Sequence, residues 1–259
     1  PVATEATGFY LWMAAGGALG GIFVAVLAPR IFPDYWEYPV SLAAACIAII
    51  AIWLADGWRP DTTKPTAFLA PPPAVAVGLL ILAYAVGSAG DDSTTTTMRN
   101  FYGVLRVGET GEGSNRTRIL THGRTEHGTQ YLDPARASEP TTYFARGAGI
   151  ELAFDKHPNR ATGERVYAAV VGLGAGTMAA YGQENDTIRF YELNPQVVDI
   201  AREPFTYRTD SQADIEVVTG DARMRLEEEL HAGEATRFDL LAIDAFSSGA
   251  IPLHLLTAE

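Results

Sequence analysis

The sequence predicts a helical membrane region followed by an α/β domain with a doubly wound parallel sheet. Long uncharged stretches fill most of the first 90 residues. Further along, a β-branched apolar run at 166–171 ends in a Gly-x-Gly-x-Gly turn, and a second run at 187–191 ends in Glu192. This order of strand, glycine turn, helix and strand is typical of the first half of a Rossmann-like nucleotide-binding sheet.

Three uncharged stretches predict spanning helices. Phe9–Pro29 is long enough to cross a bilayer, which takes about 20 residues in an α-helix. Tyr38–Ala55 and Ala67–Gly90 predict two more, the third starting at its proline cluster. A signal peptide has one short apolar core, so three stretches argue against it. Buried helices of a large soluble protein are the alternative. We predict a transmembrane region over residues 1–90 and the lipid bilayer as a partner.

One face of the first predicted span carries two overlapping Gly-x-x-x-Gly pairs. They consist of Gly16, Gly17, Gly20 and Gly21. In lipid such a face lets another helix approach closely, which predicts a membrane-protein partner. The alternatives are contact with the second span, contact with a helix missing from this sequence, or glycines that have no packing role. No predicted span holds an ionisable residue, which argues against an ion pathway.

The remainder of the chain divides by composition. Residues 91–98 predict a polar linker, and residues 99–140 predict a small β region built from hairpin-like strands. Residues 141–259 predict the Rossmann-like nucleoside-binding domain. The net charge of the chain is −12, and most of the negative charge lies outside the predicted spans. Such an acidic domain repels phosphate backbones, so we expect no nucleic-acid partner.

Metal-binding patterns are weak. Cys46 is the single cysteine and lies in an apolar segment, so it can form neither an intrachain disulfide nor a cysteine-cluster site. His122 and His127 have no third ligand type at a suitable spacing. We interpret them as turn and hydrogen-bonding residues, with metal ligation as the alternative, and expect no metal.

Acidic residues follow three predicted strands. Because parallel strands end at one edge of the sheet, Glu192, Asp221 and Asp244 should converge where ligands bind in open α/β folds. Glu192 stands about 20 positions after the first glycine of the turn, where an acid accepts hydrogen bonds from both ribose hydroxyls. Most dinucleotide-binding folds have the motif Gly-x-Gly-x-x-Gly, and this chain has Thr177 in place of the third glycine. Compact glycine turns of this kind suit an adenosylmethionine-like ligand, which has no pyrophosphate. A glycine turn that binds nothing is the alternative.

Together the motifs resemble spermidine synthase and, more closely, bacterial membrane proteins that fuse a transmembrane region to a spermidine-synthase-like domain. In chain order these motifs are a β-hairpin, HGxTxHGxQ, PTTYF, GLGAG, ELNP, GDAR and FDxxxIDAFSS. The first span and the EYP after it resemble the same fused group. The resemblance implies a class I SAM-methyltransferase-like fold, with S-adenosylmethionine or its decarboxylated form as the substrate that donates the transferred group.

The resemblance also assigns roles to single positions. The matching cofactor-binding residues are Gly172, Gly174 and Gly176 for the methionine-derived part, Glu192 for the ribose, and Asp221 with Ala222 for the adenine. Asp244 matches the aspartate that accepts a proton from the attacking amine in aminopropyl transfer. Weaker matches to substrate positions are Gln130, Tyr143 and Ser247.

Three polar groups of the family's motifs are replaced in this chain. Ala175 stands where spermidine synthases have Asp, Tyr143 is followed by Phe-Ala rather than His-Glu, and Ser247 replaces the second acid of an Asp-x-x-Asp loop. A bound dication would lose charge-assisted hydrogen bonds of about 1.5–3 kcal/mol each. Ala175 instead suits a ligand that keeps its carboxylate, namely S-adenosylmethionine.

We therefore expect a membrane-anchored alkyltransferase that moves an aminopropyl or methyl group to an amine, with Asp244 as base. The alternative is a catalytically inert subunit that serves as a docking component of a larger membrane complex. The sequence ends soon after Asp244, where the family's sheet continues. We expect either a fragment or a reduced domain whose sheet is incomplete at the C-terminus.

Two topology arguments disagree. The third span leads into the α/β domain, which should lie on the side of Arg30, opposite Arg59 and Lys64. That count of positive charges favours the outside for the domain. Adenosyl nucleosides, however, are made and used in the cytoplasm, and the single cysteine gives no sign of an oxidising compartment. We expect the bacterial inner membrane, with the domain in the cytoplasm.

Overall fold

The computed structural model describes residues 3–55, 71–88, 93–233, 237–245 and 252–257. The chain forms two compact units, Pro1–Val104 and Leu105–Glu259. The first unit is mainly helical. The second contains an α/β region with antiparallel and parallel strands, as the sequence predicts.

The helices of the first unit follow the predicted uncharged stretches. They are α1 Ala3–Ile22, a π-helical turn Phe23–Leu27, α2 Ala28–Ile31, α3 Glu37–Ala55 and α4 Pro71–Ser88. Within the described residues, the continuous helix Ala6–Ile31 has the length and apolar composition needed to cross a membrane. A signal sequence, or a core helix of a soluble protein, meets the same criterion.

Helices α3 and α4 pack against each other through a small residue. A Cβ atom added at Gly78 of α4 would lie 2.5 Å from Sγ of Cys46 on α3, so only glycine permits this approach without a shift of the cysteine. The glycine face of α1 differs. At Gly16, Gly17, Gly20 and Gly21 an added Cβ would have no atom of the described structure within 4 Å.

A largely buried ion pair joins strand β1, Thr94–Asn100, to the start of α3. Two guanidinium nitrogens of Arg99 donate to the two carboxylate oxygens of Glu37, each at 2.7 Å. Arg99 also donates to the carbonyl of Asp34, and its guanidinium lies 5.1 Å from the centre of the Tyr35 ring. The exposed fractions of the Arg99 and Glu37 side chains are 5% and 10%. The bidentate geometry fixes the chain after α4 to the loop that precedes α3.

The small sheet is antiparallel where its register is defined. Its further strands are β2 Gly103–Thr110, β3 Thr117–His122 and β4 Thr125–Tyr131, in the order β1-β2-β3-β4. The β3–β4 register shifts at Leu120 and Thr121. Two residues connect β3 to β4, and the backbone of His127 in β4 lies against Gly174 after the first strand of the larger sheet.

The larger sheet is parallel. Its strands are β5 Tyr167–Val171, β6 Thr187–Glu192, β7 Asp214–Thr219 and β8 Leu240–Ile243, in the order β7-β6-β5-β8. The associated helices are α5 Gly149–Asp155, α6 Pro158–Thr162, α7 Pro195–Arg202, α8 Tyr207–Asp210 and α9 Ala222–His231. Four residues of β5 are buried, as its apolar sequence predicts.

The segment after the glycine turn is a 3₁₀ helix, Thr177–Tyr181, and not a longer α-helix. Gly176 and Gly182 bound it closely on both sides. A Cβ atom at Gly182 would lie 2.4 Å from Cβ of Ala213, so only glycine lets the end of this helix pack so closely on Ala213. Five residues between two glycines leave room for little more than one tight helical turn.

Asp186 anchors the beginning of the parallel sheet. Its fully buried carboxylate accepts from Arg160 at 2.6 and 2.9 Å and from the backbone N–H groups of Val166 and Gln183, each at 2.8 Å. Burial opposes the charge, but these hydrogen bonds outweigh burial and hold the pKa of Asp186 below its ordinary value.

We predict that Asp186→Ala lowers the free energy of unfolding by about 3–5 kcal/mol, because the change leaves Arg160 buried without its counter-charge. Asp199→Ala is the matched control. Asp199 and Arg202 form an exposed pair, so the change there should stay below about 1 kcal/mol. Chemical denaturation of the full chain measures both values, and equal losses would contradict the prediction.

The same pair gives a pH dependence. The folded-state pKa of Asp186 is lowered, so its stabilising contribution is complete above the unfolded-state value and is lost as pH falls through the folded-state value. The stability difference between the parent and Asp186→Ala should therefore shrink in acid. Denaturation series at neutral and acidic pH measure it, and a difference that grows in acid would be inconsistent with this account.

We also predict that Gly78→Ala destabilises the α3–α4 contact by about 1–3 kcal/mol, as an overpacked site does. Cys46→Ala should restore part of that loss, since it removes the sulfur that the new methyl group meets. Gly17→Ala is the control, because its Cβ has open space. Thermal unfolding in detergent compares the variants, and an unchanged loss in the double variant would show that the sulfur is not the obstacle.

Candidate functional site

The glycine turn after β5 lies between two neighbouring segments of the same unit. Gly172 has φ +101° and Gly174 has φ +53°, a backbone region that favours glycine. A Cβ atom at Gly172 would lie 2.6 Å from the carbonyl oxygen of Asp244, and one at Gly174 would lie 2.6 Å from that of His127. The turn therefore contacts the end of β8 on one side and β4 on the other.

Glu192 lies at the end of β6 and is 9% exposed. Its Oε2 accepts from the N–H of Leu173 in the glycine turn at 2.9 Å, and its Oε1 accepts from the N–H of Asn194 at 2.8 Å. Burial raises the pKa of Glu192, while these backbone donors act in the opposite direction. An ionised carboxylate has about four acceptor sites, so each oxygen can accept a further hydrogen bond from a ligand.

Asp244 follows β8 and lies beside the glycine turn. Its N–H donates to the carbonyl of Val171 at 2.8 Å, which continues the β5–β8 pairing. Burial raises the pKa of its carboxyl group to about 7. Within the described part of the chain, no hydrogen bond or ion pair engages this carboxyl group. Asp244 is thus a carboxylate able to take up a proton near neutral pH.

Asp221 precedes α9 and caps its N-terminus. Its Oδ1 accepts from the N–H of Met224 at 3.2 Å, and its Oδ2 lies 2.9 Å from Nε2 of His254. Burial opposes ionisation, but these two contacts outweigh it and hold the pKa of Asp221 below its ordinary value. Ala222 is 5% exposed and packs with the apolar cluster that contains Tyr191. Both residues follow β7, as the sequence predicts.

The weaker substrate positions have different surroundings. Gln130 is buried, and its amide is engaged by the carbonyl of Ala137 and by the hydroxyl and N–H of Thr206, at 2.8–2.9 Å. Tyr143 is 52% exposed. Partial burial, then the charges of Asp244 and Glu126, raise the pKa of Tyr143 to about 12. Ser247 lies outside the described residues.

Sequence reasoning gave little weight to the histidines over the turn. The ring centres of His122 and His127 lie 5.7 Å apart. Burial and the neighbouring His122 lower the pKa of His127, and His122 also lies near enough to Glu192 to favour its charged form. In the sequence, only the HGxTxHGxQ motif, which contains both histidines, indicates that they lie close to the candidate site. In the ranges that the structure describes, no group of three or more His, Cys, Asp or Glu side chains could hold a metal ion.

Thr142 was also missed. Its φ is +56°, a strained value for a β-branched residue, and its buried hydroxyl has no hydrogen-bond partner among the described residues. Its neighbours are held on both sides, because Thr141 donates to the carbonyl of Thr129 at 2.6 Å and Tyr181 donates to the carbonyl of Phe144 at 2.5 Å. Strain of this kind persists where surrounding contacts determine the backbone, and it is common beside functional sites.

A separate cavity of about 380 Å³ lies against the 3₁₀ helix. Its polar and charged lining includes Arg146, Asp155, Gln183 and Asp210. Its lining includes Gly182 but neither the three glycines of the turn after β5 nor the carboxylates of Glu192, Asp221 and Asp244. The cavity is therefore distinct from the edge where the glycine turn, Glu192 and Asp244 lie.

We predict that Glu192→Ala destabilises the second unit even without a ligand. The change leaves the N–H groups of Leu173 and Asn194 without their acceptor, at a cost of about 1–3 kcal/mol each. Glu228→Ala, in an exposed pair with Arg225, is the control and should have little effect. Chemical denaturation of the ligand-free chain measures the difference, and a Glu192→Ala variant as stable as its parent would refute the structural role.

No protein-family model and no curated protein matches this sequence.

Proposed function

We propose that this chain is a membrane-anchored, spermidine-synthase-like alkyltransferase of Rossmann-like fold that binds an adenosyl sulfonium nucleoside and alkylates an amine. One observation carries the proposal. Glu192 and Asp244 both contact the glycine turn at the carboxyl edge of a parallel sheet. Glu192 offers a hydrogen-bond-accepting carboxylate, and burial raises the pKa of the Asp244 carboxyl group to about 7. Ligands of open α/β sheets bind at this edge, where the strand order reverses.

The nucleoside would lie along the ends of β5, β6 and β7. Gly172, Gly174 and Gly176 permit the tight backbone turn beside which the methionine-derived part would lie. Glu192 has acceptor sites left for ribose hydroxyls after its two backbone contacts. Asp221 and the N–H groups at the start of α9 follow the next strand, where they suit an adenine edge. S-adenosylmethionine and its decarboxylated form both carry the adenine, the ribose and the sulfonium sulfur that these residues would surround.

Transfer would proceed by direct displacement. The amine nitrogen attacks the carbon bonded to the sulfonium sulfur, a C–N bond forms, and the C–S bond breaks with its electron pair passing to sulfur. The ligand leaves as a neutral thioether, and the proton lost by the amine passes to Asp244. A general base is most effective when its pKa lies near the working pH, and burial gives Asp244 a pKa of about 7.

We predict that Asp244→Asn reduces turnover by about 10²–10⁴-fold and leaves nucleoside affinity nearly unchanged. The parent rate should rise with pH through about 7, because the raised pKa leaves the carboxyl protonated and inactive below that value. Transfer assays with amine acceptors, together with calorimetric titration, measure both quantities. Glu227→Gln, an exposed change on α9, is the control. An Asn variant with full activity would exclude Asp244 as the base.

The membrane part of the proposal rests on the first unit. Helix Ala6–Ile31 is apolar and largely exposed, which suits lipid contact. The Arg99–Glu37 pair keeps β1 beside the loop between α2 and α3, so β1 lies on the membrane side that carries Arg30. We place that side in the cytoplasm of a bacterial inner membrane, where adenosyl nucleosides are available.

Protease treatment of intact spheroplasts tests the placement. A cytoplasmic location predicts that residues after β1 stay protected until the membrane is permeabilised. Digestion of that region from the outside would overturn the placement. A tag inserted between residues 56 and 70, which should face outward in this topology, is the control and should be accessible without permeabilisation.

A catalytically inert docking subunit is the second candidate. The specific observation in its favour is the open space beside the four glycines of α1, together with the missing polar group at Ala175. Titration with S-adenosylmethionine, its decarboxylated form and methylthioadenosine separates the two candidates. If none of these binds at millimolar concentration, the enzyme proposal fails and the docking function is favoured.

A further inference from the structure

Arg208 lies against the glycine turn, and no acidic side chain of the described residues pairs with it. It belongs to the short helix α8, which packs beside the 3₁₀ helix. A Cβ atom at Gly176 would lie 3.2 Å from Cγ and 3.6 Å from Cδ of Arg208. Because position 176 has no side chain, the aliphatic part of the arginine contacts the turn directly.

The guanidinium of the partly buried Arg208 is incompletely hydrogen-bonded among the described residues. Its Nε and Nη1 are buried and have no hydrogen-bond partner in the described structure. The charge that acts on it is that of Arg202, which has the same sign and pairs with Asp199. Burial and this like charge both lower the pKa of Arg208, as expected for a cation without a counter-ion.

Other arginines in the same unit form ion pairs with acidic side chains. Arg160 pairs with Asp186 at 2.6 Å, and Arg189 pairs with Glu216 at 2.5 Å. An acidic chain of net charge −12 has carboxylates in excess, yet none of the described ones neutralises Arg208. Burying nitrogens of a cation without hydrogen-bond partners is costly, and a ligand carboxylate would supply both acceptors and the opposite charge.

We propose that Arg208 binds the α-carboxylate of the methionine portion of the adenosyl ligand, and so selects S-adenosylmethionine over its decarboxylated form. This inference rests on the proposed function. The methionine portion is the part of the ligand expected beside Gly176, and Ala175 offers no acid that would repel a carboxylate there. A guanidinium recognises a carboxylate through two parallel hydrogen bonds, which amide or apolar side chains cannot reproduce.

The test compares two ligands that differ only in the amino-acid portion. S-adenosylhomocysteine keeps the α-carboxylate, and methylthioadenosine lacks it. Calorimetric titration of the full chain should show that Arg208→Gln weakens S-adenosylhomocysteine binding by about 10- to 100-fold. Methylthioadenosine affinity should change less than about twofold. Arg202→Gln is the matched control, because that arginine is exposed and already paired, and it should alter neither affinity.

Each outcome is decisive. If Arg208→Gln leaves both affinities unchanged, or lowers both equally, the inference is overturned while methylthioadenosine binding by the parent upholds the proposed function. If the parent binds neither ligand, both fail. Thermal unfolding of the ligand-free variant is a second measurement. Removing an unpaired buried charge should leave the melting temperature equal or higher, and a clear decrease would indicate a structural role and overturn the inference.

Discussion

The second unit depends on a backbone contact that only glycine permits. At Gly172 and Gly174, neighbouring carbonyl oxygens occupy the space where a side chain would begin. Strand β4 can therefore lie directly on the turn after β5, and β8 can pair closely beside it. The hydrogen bond from Leu173 to Glu192 adds the end of β6 to the same point. A side chain in the turn would separate the pieces on which the candidate site is built.

The charged groups of the second unit divide into two kinds. Asp186 and Arg189 are neutralised by partners within the protein and contribute to the fold. Asp244 and Arg208 have no such partner in the described part of the chain. Burial without compensation costs stability, so the fold gains nothing from keeping these two groups charged. A ligand that brings a cationic sulfur, an amine and a carboxylate would supply what each of them lacks.

The elements with strong local signals could be predicted from the sequence. The apolar run at 166–171 predicts the buried strand β5, and the glycines after it predict the turn. The position of Asp221 after a strand could be predicted, but its N-cap hydrogen bond to Met224 is visible only in the structure. Gln130 could not be assigned, because its partner Thr206 is 76 positions away. The importance of Arg208 was equally hidden. A missing partner becomes visible only when the whole neighbourhood is assembled.

The Arg99–Glu37 pair has a consequence for biosynthesis. Its members are 62 positions apart, with α3 and α4 between them. Glu37 is synthesised before Arg99, so its carboxylate stays solvated or transiently paired until strand β1 has left the ribosome. Closing a loop of this length costs conformational entropy that a bidentate contact helps to offset. The first unit is therefore completed late, only after α3, α4 and β1 have all been synthesised, so the order of synthesis becomes part of how this unit is assembled.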